Sequence, residues 1–378
     1  MRLPCFLAIC LLFCSCAMAA DQRIYIGTYT RGESTSDGIY TAIFNDETGS
    51  LSEPQLAVEA DNPSFLAVHP DKDVLFACIE TADFGDEPTG AVSAFQIDRE
   101  SGKLTLLNQL PTGGGAPCHC VVDATGTFLL VANYTGGNAA VFEIASNGSL
   151  ARRTCLMNHT GSGPNTQRQE GPHAHSINLS EDNQFAYVAD LGTDRIEIYL
   201  FDAERGVLIP SPVPSAQVDP GGGPRHFSIH PSGRFAYSNN ELTAEVVAWR
   251  RNAENGGLKL IQTASTLPAD FDGRRSTAEC LVHPSGRFVY VSNRGHESIA
   301  VYRVSSDDGR LTLVEIQNTG GEEPRNFFID SSGKWLLAEN QNSNTIVVFR
   351  VAADGSLAET ETTVPVGRPV CIRALSKK

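Results

Sequence analysis

Three short segments hold most of the side chains able to do chemistry: Gly171-Pro172-His173-Ala174-His175-Ser176, Gly223-Pro224-Arg225-His226-Phe227 and Ser292-Asn293-Arg294-Gly295-His296. Imidazole titrates near neutral pH and can take or give a proton. Guanidinium stays charged and presents a planar fork of donors suited to a carboxylate or phosphate. Together they suit proton transfer beside an anion, or beside a carbonyl oxygen that becomes one. For a lone histidine the plainer reading is a hydrogen-bonded structural ring, and a lone arginine often only pairs with a surface acid. Position within a repeat separates these readings.

A unit recurs down the chain, most completely over residues 278–298: a turn His283-Pro284-Ser285-Gly286, then Arg287, an apolar run Phe288-Val289-Tyr290-Val291, and Ser292-Asn293. The turn residues fix a bend, and the apolar run reads as a half-buried strand. Taking Val74, Phe128, Phe185, Phe235, Phe288 and Trp335 as equivalent gives six copies spaced 47 to 57 residues apart. A second apolar strand follows each later unit (139–144, 196–201, 246–250, 299–304, 345–351), then a Gly/Asp/Asn turn and a third strand. With the strand ahead of each turn this makes four strands per period, the signature of a propeller blade. The ends supply complementary parts of one more blade, because 24–29 matches the strand after a turn and 368–373 the strand before one. The expected fold is therefore all-β: a seven-bladed β-propeller of four-stranded antiparallel blades, closed by a blade shared between the N- and C-termini.

In a propeller the strand before the turn borders the axis, and the repeat register places Phe65, His119, His175, His226, Glu279 and Asn326 at its start. This is more polar and titratable than a structural strand start requires. A second ring, at the end of the next strand, holds Tyr29, Glu80, Tyr134, Leu191, Glu241, Arg294 and Gln341 on the same face. His119, His173, His226, Glu279, Asn326, Tyr29 and Tyr134 are the substrate-binding candidates from these rings. The preceding Asn133, Asp190, Asn239, Asn240, Asn293 and Asn340 are read as structural, satisfying loop backbone, and the turn histidines His69, His230 and His283 likewise. His173 and His175 would share a strand face, which also suits a metal. An acid–base role is preferred because no carboxylate stands at ligand spacing beside them, and neither metal nor other cofactor is expected. The connection 158–170 leads directly into His173 and is read as a lid.

Residues 1–20 read as a secretory leader: Arg2, an apolar run over 6–13, and Ala17-Met18-Ala19 before cleavage near Ala19 or Ala20. The run is too short to span a bilayer. Residues 21–378 then form a single domain, exported to a periplasmic or extracellular space. A formal net charge of −15 argues against a nucleic-acid or anionic-membrane partner. Four of the ten cysteines lie in the leader; of the others, Cys78, Cys120, Cys280 and Cys371 fall in strands of different blades, so no pairing is expected. Cys118-x-Cys120 lacks a zinc-knuckle spacing.

At Tyr25-Ile26-Gly27-Thr28-Tyr29-Thr30, at the Gly-Pro-His-Ala-His and Gly-Pro-Arg-His segments and at Ser-Asn-Arg-Gly-His-Glu-Ser, the chain resembles the seven-bladed lactonase family. That family includes bacterial propeller-type 6-phosphogluconolactonases and fungal carboxy-muconate lactonizing enzymes. The resemblance covers essentially all of the chain after the leader. It implies a catalytic set in the order His, Arg, Glu, Arg, which falls here on His175 (or His173), Arg225, Glu241 and Arg294. It also implies hydrolysis of a small-molecule lactone, anionic or polyhydroxylated, with the arginines polarising the carbonyl and Glu241 or His175 as general base. The same groups would serve a muconate-type cyclisation. A metal-dependent lactonase and a non-catalytic binding propeller are the other readings, since a fold alone does not fix function. The leader departs from the family's cytoplasmic sugar-phosphate role and points to an unphosphorylated sugar lactone or another cyclic ester.

Overall fold

The structure is a computed structural model that describes residues 21–85 and 87–376. The expected leader, with Cys5, Cys10, Cys14 and Cys16, lies outside the described residues. Among the described residues, twenty-eight strands form seven antiparallel sheets of four. Blade 1 joins the C-terminal Pro369–Ala374 to Gln22–Thr28, Gly38–Phe44 and Gln55–Glu59, as the split repeat requires. The inner strands of blades 2 to 7 are Pro63–Val68, Pro117–Val122, Ala174–Leu179, Pro224–Ile229, Ser276–Val282 and Pro324–Ile329. Each inner strand touches the next around the whole ring, and blade 1 touches both blade 7 and blade 2. The ring is thus closed.

The strand after each turn differs from the half-buried expectation. Phe235–Asn240 and Phe288–Arg294 are buried at every position. Both faces of a blade are covered by its neighbours, so the core lies between blades, as in the cluster of Phe235, Tyr237, Val289, Val291 and Tyr302. A strand covered on both faces reads as a continuous apolar run.

The turns lock neighbouring blades together. The imidazole Nε2 of His230 lies 2.8 Å from the Gly286 carbonyl of the next blade, and that of His283 2.8 Å from the Gly333 carbonyl, so these histidines are structural. The Tyr237 hydroxyl donates to the Gly309 carbonyl at 3.0 Å. Gly309 has φ +79°, and a Cβ there would meet the Phe235 ring at 2.5 Å, so no larger residue fits that turn without displacing the ring.

One recurring irregularity shapes the axis. Every full blade has a register shift near the start of its inner strand, at 63/65, 117/119, 174/176, 224/227, 277/280 and 324/326. Such a bulge re-aims side chains. Arg225 and His226, like Arg325 and Asn326, consequently border the same axial cavity. Strict alternation would have sent one of each pair away.

Candidate active site

At the mouth, the two rings meet. The Glu241 backbone N–H donates to the Gly223 carbonyl at 2.8 Å, which brings the end of one blade 5 strand beside the start of its inner strand. Tyr134 and Gln341 repeat this bond with Ala116 and Glu323. The preceding residues serve the loops, as expected: the Asp190 carboxylate accepts from the N–H groups of His173, Gly192 and Thr193, and Asn239 from that of His226.

Glu241 sits at the centre. One oxygen lies 3.0 Å from Arg225 Nε and 2.9 Å from Arg294 Nη2; the other accepts from Arg168 Nη2 at 2.6 Å. Burial alone would raise its pKa, but Arg294, Arg225 and Arg168 together hold it well below the usual carboxylate range. Arg225 Nη1 donates to the Ala278 carbonyl at 2.6 Å and Arg294 Nη2 to the Thr277 carbonyl at 2.8 Å, which fixes both forks. Even so, Nε of Arg225 and Nε of Arg294 are buried without a hydrogen-bond acceptor. The 3.0 Å approach of Arg225 Nε to Glu241 is thus an ion pair whose N–H is not aligned on the carboxylate. Such unmet charged donors mark a place for an incoming oxygen.

His175 stands in the same register as Arg225, one residue before the ring position expected for it, which the repeat spacing gives to Ser176. It is buried, and burial followed by the Arg225 charge lowers its pKa well below the ordinary imidazole value, so the ring is neutral at pH 7. Its Nδ1 is 3.8 Å from Cys118 Sγ, and its ring centroid is 5.4 Å from those of Tyr134 and His226. His173 lies outside the inner strand: it stacks on Tyr134 at 4.5 Å, with Nε2 3.2 Å from Glu170. It lines the rim.

Across the axis the Tyr29 hydroxyl is 3.0 Å from both oxygens of Glu80, and Arg325 lies 5.1 Å from the Tyr29 ring. Burial raises the Glu80 pKa against the pull of Arg325. A cavity of about 10 Å³, room for about one water molecule, is bordered by Tyr29, His175, Arg225, His226, Arg325 and Asn326. His119 and Glu279 lie further along the axis, where His226 Nδ1 is 2.7 Å from Glu279. Among the described residues no three His, Cys, Asp or Glu side chains converge as metal ligands, and the six cysteines there are free thiols.

Two arginines of the site were not among the expected residues. Arg325 occupies the register of Arg225, in Glu323-Pro324-Arg325-Asn326, a signal the repeat carried. Arg168 comes from the connection read as a lid, and donates to the Tyr134 hydroxyl at 3.2 Å as well as to Glu241. That connection is pinned by Gln169, whose amide donates to Leu191 O and Asp194 Oδ1, and by the 2.6 Å pair of His159 with Asp190. Replacing Glu241 with glutamine is expected to lower unfolding stability by about 3–5 kcal/mol, because buried guanidinium charges lose their counter-charge. Urea or thermal melts check this; a loss below about 1 kcal/mol would show that charge does not hold the cluster.

A closed propeller whose axis gathers paired guanidiniums, a carboxylate and a neutral imidazole presents groups suited to a small polar substrate. The family profile "Lactonase, 7-bladed beta-propeller" matches residues 23–374. The chain is 40% identical over 352 residues to a 6-phosphogluconolactonase of Bacillus subtilis, covering 93% of this chain and 97% of the relative. A 6-phosphogluconolactonase of Formosa agariphila is 36% identical over 316 residues, covering 82% and 86%. The solved periplasmic gluconolactonase of Pseudomonas aeruginosa superposes with a TM-score of 0.87 at 31% identity, covering 94% and 99%. The chain belongs to the seven-bladed β-propeller lactonase family, and as such is a lactonase-type enzyme similar to the 6-phosphogluconolactonases.

Proposed function

We propose that the protein hydrolyses sugar lactones in the periplasm or outside the cell, and that unphosphorylated aldonolactones are its substrates. The observation that carries the reading is the pair of buried Nε donors of Arg225 and Arg294 without aligned acceptors, both guanidiniums paired with Glu241 and Arg225 bordering one cavity with the neutral His175. The lactone carbonyl oxygen takes those donors, whose charge stabilises the oxyanion formed on attack. His175 removes a proton from the attacking water and returns it to the ring oxygen as the C–O bond breaks. Glu241 is too weak a base in its arginine clamp to take that proton; it holds the guanidiniums in place. The leader over 1–20 supports export, and similarity to a periplasmic gluconolactonase supports a substrate without phosphate.

The test is proton release from glucono-δ-lactone and from 6-phosphogluconolactone by the mature protein, above the spontaneous rate and with a chelator in parallel. Turnover of glucono-δ-lactone that survives chelation is expected. Turnover confined to the phosphorylated lactone would overturn the substrate choice. No turnover of either by folded protein would overturn the lactonase reading.

A further inference from the structure

His226 borders two separate cavities. One is the water-sized space it shares with His175 and Arg225 at the mouth. The other is a channel of about 350 Å³ on the far side, bordered by His119, Glu279, Arg373 and Asn178 and reaching the exposed Ser376. Among the described residues no other borders both. Along the axis the rings of His175, His226 and His119 follow one another with centroids 5.4 Å apart. Nδ1 of His226 is held by Glu279 at 2.7 Å, so Nε2 is its free nitrogen. His119 accepts the Ile177 N–H at its Nδ1 and carries its own proton on Nε2.

Resting on the reaction proposed above, we infer that His226 and Glu279 form a proton exit from the active site to the opposite face of the ring. Hydrolysis adds water across the ester bond to give a hydroxyl and a carboxylic acid, and the acid loses one proton at neutral pH. Each turnover therefore leaves one proton in a mouth closed by substrate and by Arg168. His175 takes it and passes it through the single water to Nε2 of His226. His226 releases its Nδ1 proton to the Glu279 carboxylate, which gives it to water in the channel; a flip of the imidazole ring then turns the new N–H toward Glu279 and an unprotonated nitrogen toward the mouth, which resets the relay without returning the proton. No other co-reactant is needed. The groups facing His226 suit transit rather than storage: Arg225, Arg325 and the neighbouring His119 oppose a lasting positive charge, Glu279 alone favours it, and Arg373 lies beyond Glu279 in the channel. Burial, the first cause, also keeps His226 below the ordinary imidazole value, despite Glu279.

The experiment measures kcat and KM for glucono-δ-lactone in dilute buffer, then with imidazole added up to tens of millimolar, for wild type, His226→Gln, Glu279→Gln and Asn178→Phe. Asn178 lies in the far channel and not at the mouth, so its phenylalanine narrows the exit without touching the reacting groups. We expect kcat to fall tenfold or more in His226→Gln and several-fold in the other two, with KM within twofold. Imidazole should restore most of kcat in a saturable manner, which a purely structural defect would not permit. Unchanged kcat in His226→Gln and Asn178→Phe would overturn the exit path while leaving the lactonase reading intact. Loss in folded variants that imidazole does not restore would also overturn it. Absence of wild-type turnover on either lactone would overturn both.

Discussion

His175→Ala is expected to lower kcat/KM on glucono-δ-lactone by roughly 10²–10⁴-fold, the contribution of a positioned general base. The pH profile carries the sharper signature. Protonation of His175 removes the base, so wild-type activity falls on the acid side. Burial and then Arg225 lower this group's pKa, so the fall lies below pH 6.5 and not at it. The variant, having no such group, should show residual activity that is flat across that interval. An acid limb retained in His175→Ala, or activity within threefold of wild type, would move the base elsewhere on the axis.

Arg225→Ala is expected to cost roughly 10²–10³-fold, mainly in kcat, as loss of an oxyanion donor does. Arg225 is buried, with Nη1 on the Ala278 carbonyl and Nε beside Glu241 without being aligned on it. A lysine ammonium cannot hold both partners and aim a third donor, so Arg225→Lys should recover only part of the loss. Glu241 keeps Arg168 and Arg294 in either variant, so melting temperatures should change far less than rates. A loss confined to KM would instead assign Arg225 to ground-state binding.

Most of this site was legible because the chain repeats. Register alone put His226, Glu241 and Arg294 at the axis or mouth, and the split ends gave the seventh blade. His175 stands ten residues before Phe185 where the other ring members stand nine before their anchors, so the repeat gives the ring position to Ser176; His175 still reaches the axis because the bulge turns two successive side chains inward, and a period-two reading allows only one. Arg325 was missed for the same reason, since it stands one residue before Asn326. Arg168 carried no signal of its own. It lies in an irregular connection without periodicity, and its bond to Glu241 spans 73 residues of sequence through the reach of a long side chain. The burial of Phe288–Arg294 on both faces was likewise hidden, because one blade's pattern cannot reveal how closely its neighbours stack.

The strand Pro369–Ala374 lies more than 300 residues along the chain from the strand it pairs with, yet it is the innermost strand of the first blade. Without it, the Gln22–Thr28 edge would stand unpaired, and Arg373 would be missing from the wall of the far channel. This strand is therefore a clasp that joins two distant stretches of the chain. A chain cut before Pro369 would lose ring closure and one side of the axis together, so closure of the ring and competence of the centre depend on the same strand.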